Sequence, residues 1–421
     1  MTTHRRGLLA GLGLTALAGA APAVAQTPPA TPKPPLAERL AAEAAKHRLA
    51  VTFAHGRASG PGVERLIEEA EAAVHFLVGE EHGLAQVPAL VSTLFPAAGY
   101  QRLCLEISPP SARALDAAAK GGLDGIKGFC AEHPPGPAFY TMAEEARMIA
   151  DMRTAVPGPE RLLVGLDYEV LQDRLLIDAL KAKAPPAAAP ALAALDAASK
   201  AGWAKYDTTR NLTDILPFSG DPALVSAVEA AWTHADVESA EILWTLRRTL
   251  EINQYYRREK YFLSNRDRAD FNRAAWATLH QADLRSGSLQ KTMFKFGAGH
   301  MVRGRSMTEV YDIGSLVFEA SELLGVHCFN LLVVPLNGKQ AYLDPRTLTY
   351  AQADVSTIED MALEPLAKAS LPGASTLIDL RPLRPLMSAS VTQTADPRLT
   401  RVIHGYDMLL FVDGATASGS L

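Results

Sequence analysis

Four short apolar runs, each followed by an ionisable residue, constrain the fold of this chain more than any other feature. They lie at 73–78, 102–105, 162–166 and 293–296. Apolar runs of this length are typical of buried strands. The segments between them have helical patterns and are long enough for crossovers, so the strands can lie parallel and end at one edge of a sheet.

The residues that follow these runs predict a single polar crevice. The first run ends in GEEHG at 79–83, and in an extended chain Glu80 and His82 point to the same side. The later runs are followed by a carboxylate, a second carboxylate and a histidine. Because open parallel sheets bind ligands at their carboxyl edge, we expect that edge to hold Glu80, His82, Glu106, Asp167 and His300.

The pattern as a whole predicts an α/β fold, with a mainly parallel sheet flanked by helices. A long helical excursion is expected at about 173–285, between the third and fourth core strands, because this stretch contains very little glycine or proline after position 222. It carries Trp and Tyr residues at helical spacing, and it could act as a lid. The folded domain is expected to span 36–421, since an α/β fold of this kind can absorb that length as one unit.

Composition excludes some classes of protein. The formal net charge is −5, with both signs spread along the chain, so no basic stripe is available to neutralise phosphates. Nucleic acid is therefore not an expected partner. Hydrophobic residues make up 48% and charged residues 21% of the chain, which is ordinary for a globular protein. Three cysteines cannot form a disulfide framework.

The N-terminus resembles an export signal. Residues 1–25 combine the pair Arg5-Arg6, an apolar run and a small-residue cleavage site before Gln26, in the manner of a twin-arginine signal peptide. Residues 26–35 are rich in proline, threonine and alanine, and predict a linker. We expect a periplasmic or secreted protein that has no stable membrane insertion after signal cleavage, because no later segment has the apolar length of a membrane helix.

The motifs together resemble the erythromycin esterase family. They are Gly-Glu-x-His-Gly at the first strand end, Glu106 at the second, Gly165-x-Asp167 at the third and Gly-x-Gly-His300 at the fourth. The family belongs to a wider group with ChaN-type haem-binding lipoproteins and the TraB/Tiki proteins. Arg266-Asp267 followed by Asn272 also resembles the family's Arg-Asp-x-x-Met-x-x-Asn pattern. The resemblance implies an α/β fold and a hydrolase that opens an ester or lactone with an activated water.

Two departures from the family pattern are visible. The esterases have two residues between the glutamate and the histidine of the first motif, whereas one residue separates Glu80 from His82, which is nearer the spacing in the ChaN-like group. The esterases also tend to carry a second histidine after the fourth strand, where this chain has Met301-Val302-Arg303. An arginine that stays protonated cannot replace a proton-shuttling imidazole. Erythromycin itself is therefore not the expected substrate.

Histidine is the side chain most easily poised near neutral pH, so His82 is the candidate general base for a water nucleophile. Glu80 or Glu106 would orient the imidazole or the water. His300 could protonate the leaving alkoxide or hold the oxyanion, and Arg266 could stabilise charge if its helix folds over the crevice. Three further residues are expected to bind or orient the substrate, a small molecule: Asp167, Tyr255 and Asp267.

No cofactor and no metal are expected for this mechanism, and two other hypotheses stay open. The same histidines and carboxylates suit zinc, manganese or iron, although the chain has no His-Glu-x-x-His signature. A divalent metal would fit a Tiki-like metallopeptidase. A haem- or metal-binding protein of the ChaN-like type, which performs no turnover, is the other alternative.

Overall fold

The computed structural model describes residues 34–421. The predicted signal peptide, residues 1–25, and positions 26–33 of the predicted linker lie outside the described residues. The strands are β1 (Arg48–Ala54), β2 (Arg57–Ser59), β3 (His75–Glu80), β4 (Arg102–Leu105), β5 (Leu163–Gly165), β6 (Thr292–Gly297), β7 (Cys328–Pro335), β8 (Lys339–Asp344), β9 (Thr349–Asp354), β10 (Ser375–Asp379) and β11 (Met408–Val412).

Helices connect and cover these strands. They are α1 (Leu36–Ala44), α2 (Pro61–Ala72), α3 (Gln86–Ala97), α4 (Pro109–Ala119), α5 (Gly122–Glu132), α6 (Ala143–Ala155), α7 (Asp173–Lys183), α8 (Ala189–Thr209), α9 (Leu216–Ser219), α10 (Pro222–Ala231), α11 (Val237–Arg257), α12 (Tyr261–Ser286), α13 (Ala298–Met301), α14 (Ile313–Leu324), α15 (Thr357–Asp360), α16 (Glu364–Ala367), α17 (Ala389–Thr392) and α18 (Pro397–Gly405). Two 3₁₀ helices span Leu212–Asp214 and Arg381–Leu386. Among residues 34–421, no helix combines the length and apolar character needed to cross a bilayer.

The main sheet has the strand order β2-β1-β10-β11-β7-β3-β6-β4-β5. The strands from β11 to β5 run parallel to their neighbours, whereas β10, β1 and β2 pair antiparallel at the other end. The predicted α/β fold with a mainly parallel sheet is confirmed. Because β3 lies between β7 and β6, its end lies well inside the carboxyl edge, away from either border of the sheet.

Apolar side chains alternate between the two faces of the sheet, as the strand period requires. In β3, Phe76 and Val78 pack on one face with buried residues of α2 to α6. Leu77 packs on the opposite face with residues of α1, α14 and α18. Helices therefore cover both faces, which explains why these strands are continuously apolar rather than alternating with polar residues.

Helices α7 to α12 lie between β5 and β6 in the chain and span Asp173–Ser286. Those from α7 to α11 contribute to an apolar cluster of their own, which includes Leu176, Leu195 and Leu246. Helix α12 is different, because its Trp276 packs into the core of the sheet. At 26 residues it is about 39 Å long, enough to run along the sheet and reach its carboxyl edge.

Strands β8 and β9 form a separate antiparallel hairpin that the sequence pattern did not reveal. Most of its side chains are exposed or half-buried, so it lacks the apolar runs that mark the main strands. The hairpin is attached to the end of the GEEHG segment, where Ala341 N donates to Gly83 O over 3.0 Å. Gly83 has a φ of +82°, and a Cβ there would lie 2.0 Å from Ala341 O. Only glycine permits this close approach.

Candidate active site

The carboxyl edge of the sheet brings together five of the predicted side chains. Glu80 is the last residue of β3, Glu106 follows β4 directly, Asp167 comes two residues after β5 and His300 lies on α13 immediately after β6. His82 follows β3 and reaches back over the edge. Parallel strands end on one side, and this topology places residues from distant parts of the chain within hydrogen-bonding distance.

Glu106 is at the centre of the group. Its Oε2 accepts a hydrogen bond from Gly297 N at 2.6 Å and lies 3.3 Å from His82 Nε2. Its Oε1 accepts one from Arg268 Nη2 at 2.7 Å and lies 3.3 Å from His300 Nε2. Burial alone would raise the pKa of this carboxyl group, but the charges of His300 and His82 lower the pKa well below its usual range. Glu106 is therefore ionised at neutral pH.

Each imidazole is held between two carboxylates. His82 Nδ1 is 2.8 Å from Glu80 Oε1, and His300 Nδ1 is 2.8 Å from Asp312 Oδ2. Burial would lower the pKa of His82, but Glu106 and Glu80 outweigh it and raise the pKa to about 10. At His300, burial would also lower the pKa, but the charges of Asp312 and Glu106 outweigh it and raise the pKa to about 10. Both side chains are imidazolium ions at neutral pH.

The arginine that reaches the site is Arg268, not the predicted Arg266. Arg268 Nε donates to Asp167 Oδ1 at 3.0 Å, and its Nη2 donates to both Asp167 and Glu106. The Arg266 side chain is 48% exposed and pairs with the adjacent Asp267, its Nε 2.9 Å from Oδ1. Residues two apart on a helix are separated by about 200°, so α12 turns these two arginines to opposite sides.

Of the three residues predicted to bind or orient the substrate, only Asp167 lies in the group around Glu106. Asp167 holds Arg268, and Asn272, with its amide nitrogen turned toward the carboxylate, donates to Asp167 Oδ1 over 2.9 Å. Asp267 contacts Arg266 rather than the group around Glu106. Tyr255, near the end of α11, is half-buried and is not among the residues that line the cavity at the sheet edge.

Arg268 and Arg266 form a natural matched pair for mutation. Replacing Arg268 with methionine leaves Asp167 and Glu106 without their shared cation, so we expect it to destabilise the protein by about 2 kcal/mol or more. Arg266→Met removes an exposed pair and should change stability by less than about 0.5 kcal/mol. Urea denaturation of both variants measures the difference. Equal effects would contradict the assignment of Arg268 to the site.

Several charged residues of the site escaped the sequence pattern. Lys295, inside β6, is fully buried and lies 2.8 Å from Glu80 Oε1. Its Nζ is also 2.7 Å from Oε1 of Glu145, on α6. A lysine between Phe294 and Phe296 in a buried strand needs a charged partner, and this signal could have identified Lys295. Glu145 carried no comparable signal.

A cavity of about 540 Å³ opens beside these residues. His82, Glu106, Asp167 and Arg268 are among the polar residues that line it. The ring of Phe139 stacks on the His82 imidazole, with centroids 4.0 Å apart and planes inclined by 15°. The remaining wall is largely apolar or aromatic. It includes Met142, Tyr168 and Val170, and hairpin β8–β9 adds Tyr342, Leu343 and Tyr350. A small organic molecule fits a site of this size and character.

The oxygen and nitrogen atoms that could bind a metal ion at this site already contact one another. Glu106, Asp167 and Asp312 accept hydrogen bonds or ion pairs from arginine, histidine or backbone N–H groups. In the described range 34–421, no three His, Cys, Asp or Glu side chains converge with the geometry of a metal site. The arrangement is a network of opposite charges joined by short contacts.

No protein-family profile and no curated protein matches this chain. Among solved structures, a Bacillus cereus protein has a TM-score of 0.58 at 14% identity, with 91% of this chain and 99% of that chain covered. A succinoglycan biosynthesis protein has a TM-score of 0.57 at 13% identity, covering 91% of this chain and 98% of its own.

A mutant of the erythromycin esterase EreC, in its open conformation, gives a TM-score of 0.59 at 13% identity, with 85% of this chain and 94% of that chain covered. Identities this low establish a common fold and leave activity to be argued from the site. The fold expected from the strand-end motifs is thereby confirmed. This chain has the α/β fold of erythromycin esterase and of the two proteins named with it.

Proposed function

We propose that this protein is a hydrolase that opens an ester, lactone or related acyl bond, with His82 as the general base. The observation that carries the proposal is the position of the His82 imidazole in the cavity wall, with Nδ1 on Glu80 and Nε2 facing Glu106. A carboxylate on Nδ1 fixes the orientation of the ring, so that Nε2 is the nitrogen that exchanges a proton with a reacting group.

The two imidazoles share one carboxylate and therefore titrate as a pair. When the pair loses a single proton, the neutral ring can accept a proton from water and the charged ring can donate one to the leaving alkoxide. We assign the base to His82, which lines the cavity, and the acid to His300, which does not line it and delivers its proton through the carboxylate of Glu106. Arg268 and the remaining imidazolium stabilise the negative charge that develops on the carbonyl oxygen.

The base assignment predicts the dependence of activity on pH. Because the pKa of His82 is raised to about 10, the neutral imidazole is scarce at pH 7. We expect kcat/KM to rise about tenfold per pH unit on the acid side of this pKa and to fall again above it, where His300 also loses its proton. Initial rates on a panel of aryl esters and lactones, with the folded fraction followed by circular dichroism, measure this profile.

His82→Gln should lower kcat by a factor of about a thousand and remove the rise of activity with pH. His234→Gln is the matched control, because His234 is exposed and lies between α10 and α11. A flat profile that declines only at alkaline pH would instead make the imidazolium an acid and would refute the base role of His82.

Export is part of the proposal and is supported by the sequence of residues 1–25. Purification of the protein from the periplasmic fraction or the medium tests export. The same preparation shows whether a cofactor is bound. Metal analysis and a visible spectrum of that protein come first. Stoichiometric metal or a haem band would replace the hydrolase proposal with a metallopeptidase or a haem-binding function, and a chelator that abolishes turnover would favour the metallopeptidase.

A further inference from the structure

A buried chain of charges lies beneath the cavity, on the side of the sheet covered by α6. Glu145, Lys295, Glu80 and His82 follow one another at 2.7, 2.8 and 2.8 Å. The side chains of Lys295, Glu80 and Glu145 are 1 to 2% exposed. Desolvation of three such charged groups is costly, so the attraction between them at these short distances must offset most of that free energy.

This series of four side chains contains more hydrogen-bond acceptor oxygens than its donors can satisfy. Glu80 Oε1 receives both Lys295 Nζ and His82 Nδ1, whereas Glu80 Oε2 and Glu145 Oε2 are buried without a hydrogen-bond partner among the described residues. Lys295 is thus the cation that both carboxylates share. The ring of Tyr140 lies 5.6 Å from its Nζ and closes the cluster with an apolar face.

We infer that Lys295 is a positioning residue, which keeps Glu80 ionised and turned toward His82 and is itself anchored by Glu145. This inference rests on the proposed function. Lys295 does not line the cavity, so its action passes through Glu80. No substrate contact is required of it.

The electrostatics of the cluster agree with this geometry. Burial would raise the pKa of Glu80, but Lys295 is the strongest opposing charge and, together with His82, leaves the pKa below its usual value. Burial and the charge of Glu80 raise the pKa of Glu145 to about 7, with Lys295 opposing. The titratable groups that influence Glu145 or Glu80 are Lys295, His82, Tyr140 and the neighbouring Glu81.

The decisive experiment replaces the lysine together with its anchor. Lys295→Met alone would leave two buried carboxylates without a cation, so the test variant is Lys295→Met/Glu145→Gln, which removes one charge of each sign and retains Glu80. The Glu80 carboxyl group is titrated by ¹³C NMR in the full-length mature protein. In the double variant we expect the pKa of Glu80 to rise by about one to three units.

Two further variants serve as controls. Glu145→Gln alone keeps Lys295 and should not raise the pKa of Glu80. Lys291→Met removes the lysine just before β6, whose Nζ donates to backbone carbonyls, and should leave the titration of Glu80 unchanged. A folded double variant in which Glu80 titrates within about 0.3 unit of the wild type would overturn the inference.

Activity supplies a second readout on any ester found to be a substrate. The double variant should lose about tenfold to a hundredfold in kcat, with KM unchanged, because orientation of His82 acts on the chemical step. A shifted titration with unaltered kcat would refute the positioning role. The titration needs no substrate, so an NMR shift in a protein that hydrolyses no ester would reject the proposed function while supporting control of Glu80 by Lys295.

Discussion

Glu106→Gln is expected to reduce hydrolysis about a thousandfold and to destabilise the fold. The substitution keeps the shape of the side chain but removes the charge that faces Arg268, His82 and His300. Breaking a buried ionic network by removing one partner costs about 4 kcal/mol. It should also lower the pKa of both imidazoles and reduce kcat by a factor of about a thousand.

Urea denaturation and steady-state kinetics measure these two effects. The matched control is Glu64→Gln, since Glu64 is an exposed glutamate in the first turn of α2. It should change stability by less than about 0.5 kcal/mol and leave kcat unaltered. Retention of more than about a tenth of the wild-type kcat in Glu106→Gln would show that this carboxylate does not organise the reaction.

The second large effect is a loss of stability at alkaline pH. The pKa values of His82 and His300 are raised to about 10 in the folded protein, above their unfolded values of about 6.5. Their stabilising contribution is therefore complete below about pH 6.5 and is lost as the pH rises through 10. Because both imidazoles depend on Glu106, we expect a combined loss of about 4 kcal/mol across this range.

The free energy of unfolding, measured by urea denaturation at several pH values between about 6 and 10, tests this expectation. His82→Gln/His300→Gln removes both titrating groups and should flatten the alkaline decline. His234→Gln should retain the wild-type slope, because His234 is exposed. A wild-type protein with constant stability up to pH 10 would show that the imidazoles are not held as cations.

The strand-end residues could be predicted because two local rules are sufficient for them. An apolar run marks a strand, and the edge rule then brings Glu80, Glu106 and His300 together without any knowledge of side-chain packing. The sheet type follows from the same runs and from the crossover lengths. These rules do not depend on exact element boundaries, which is why they were sufficient here.

Other features depend on information that a single sequence does not carry. The difference between Arg266 and Arg268 depends on the rotational phase of α12, and the Arg266-Asp267 motif favoured the arginine that this helix turns away from the site. Glu145 reaches Lys295 through the packing of α6 on the sheet, a contact between residues 150 positions apart. The hairpin β8–β9 was missed because its half-exposed side chains produce no apolar run.

The attachment of that hairpin keeps one part of the cavity wall apart from the charged network. Gly83 O accepts two hydrogen bonds, from Ala341 N at 3.0 Å and from Ser418 N at 2.8 Å, so a single carbonyl joins the motif, the hairpin and the C-terminal segment. The hairpin contributes Tyr342 and Tyr350 to the cavity wall but none of the charged network. For the hydrolase proposed above, substitutions in the hairpin would change which acyl or alcohol group fits the cavity and would leave the charged network unaltered.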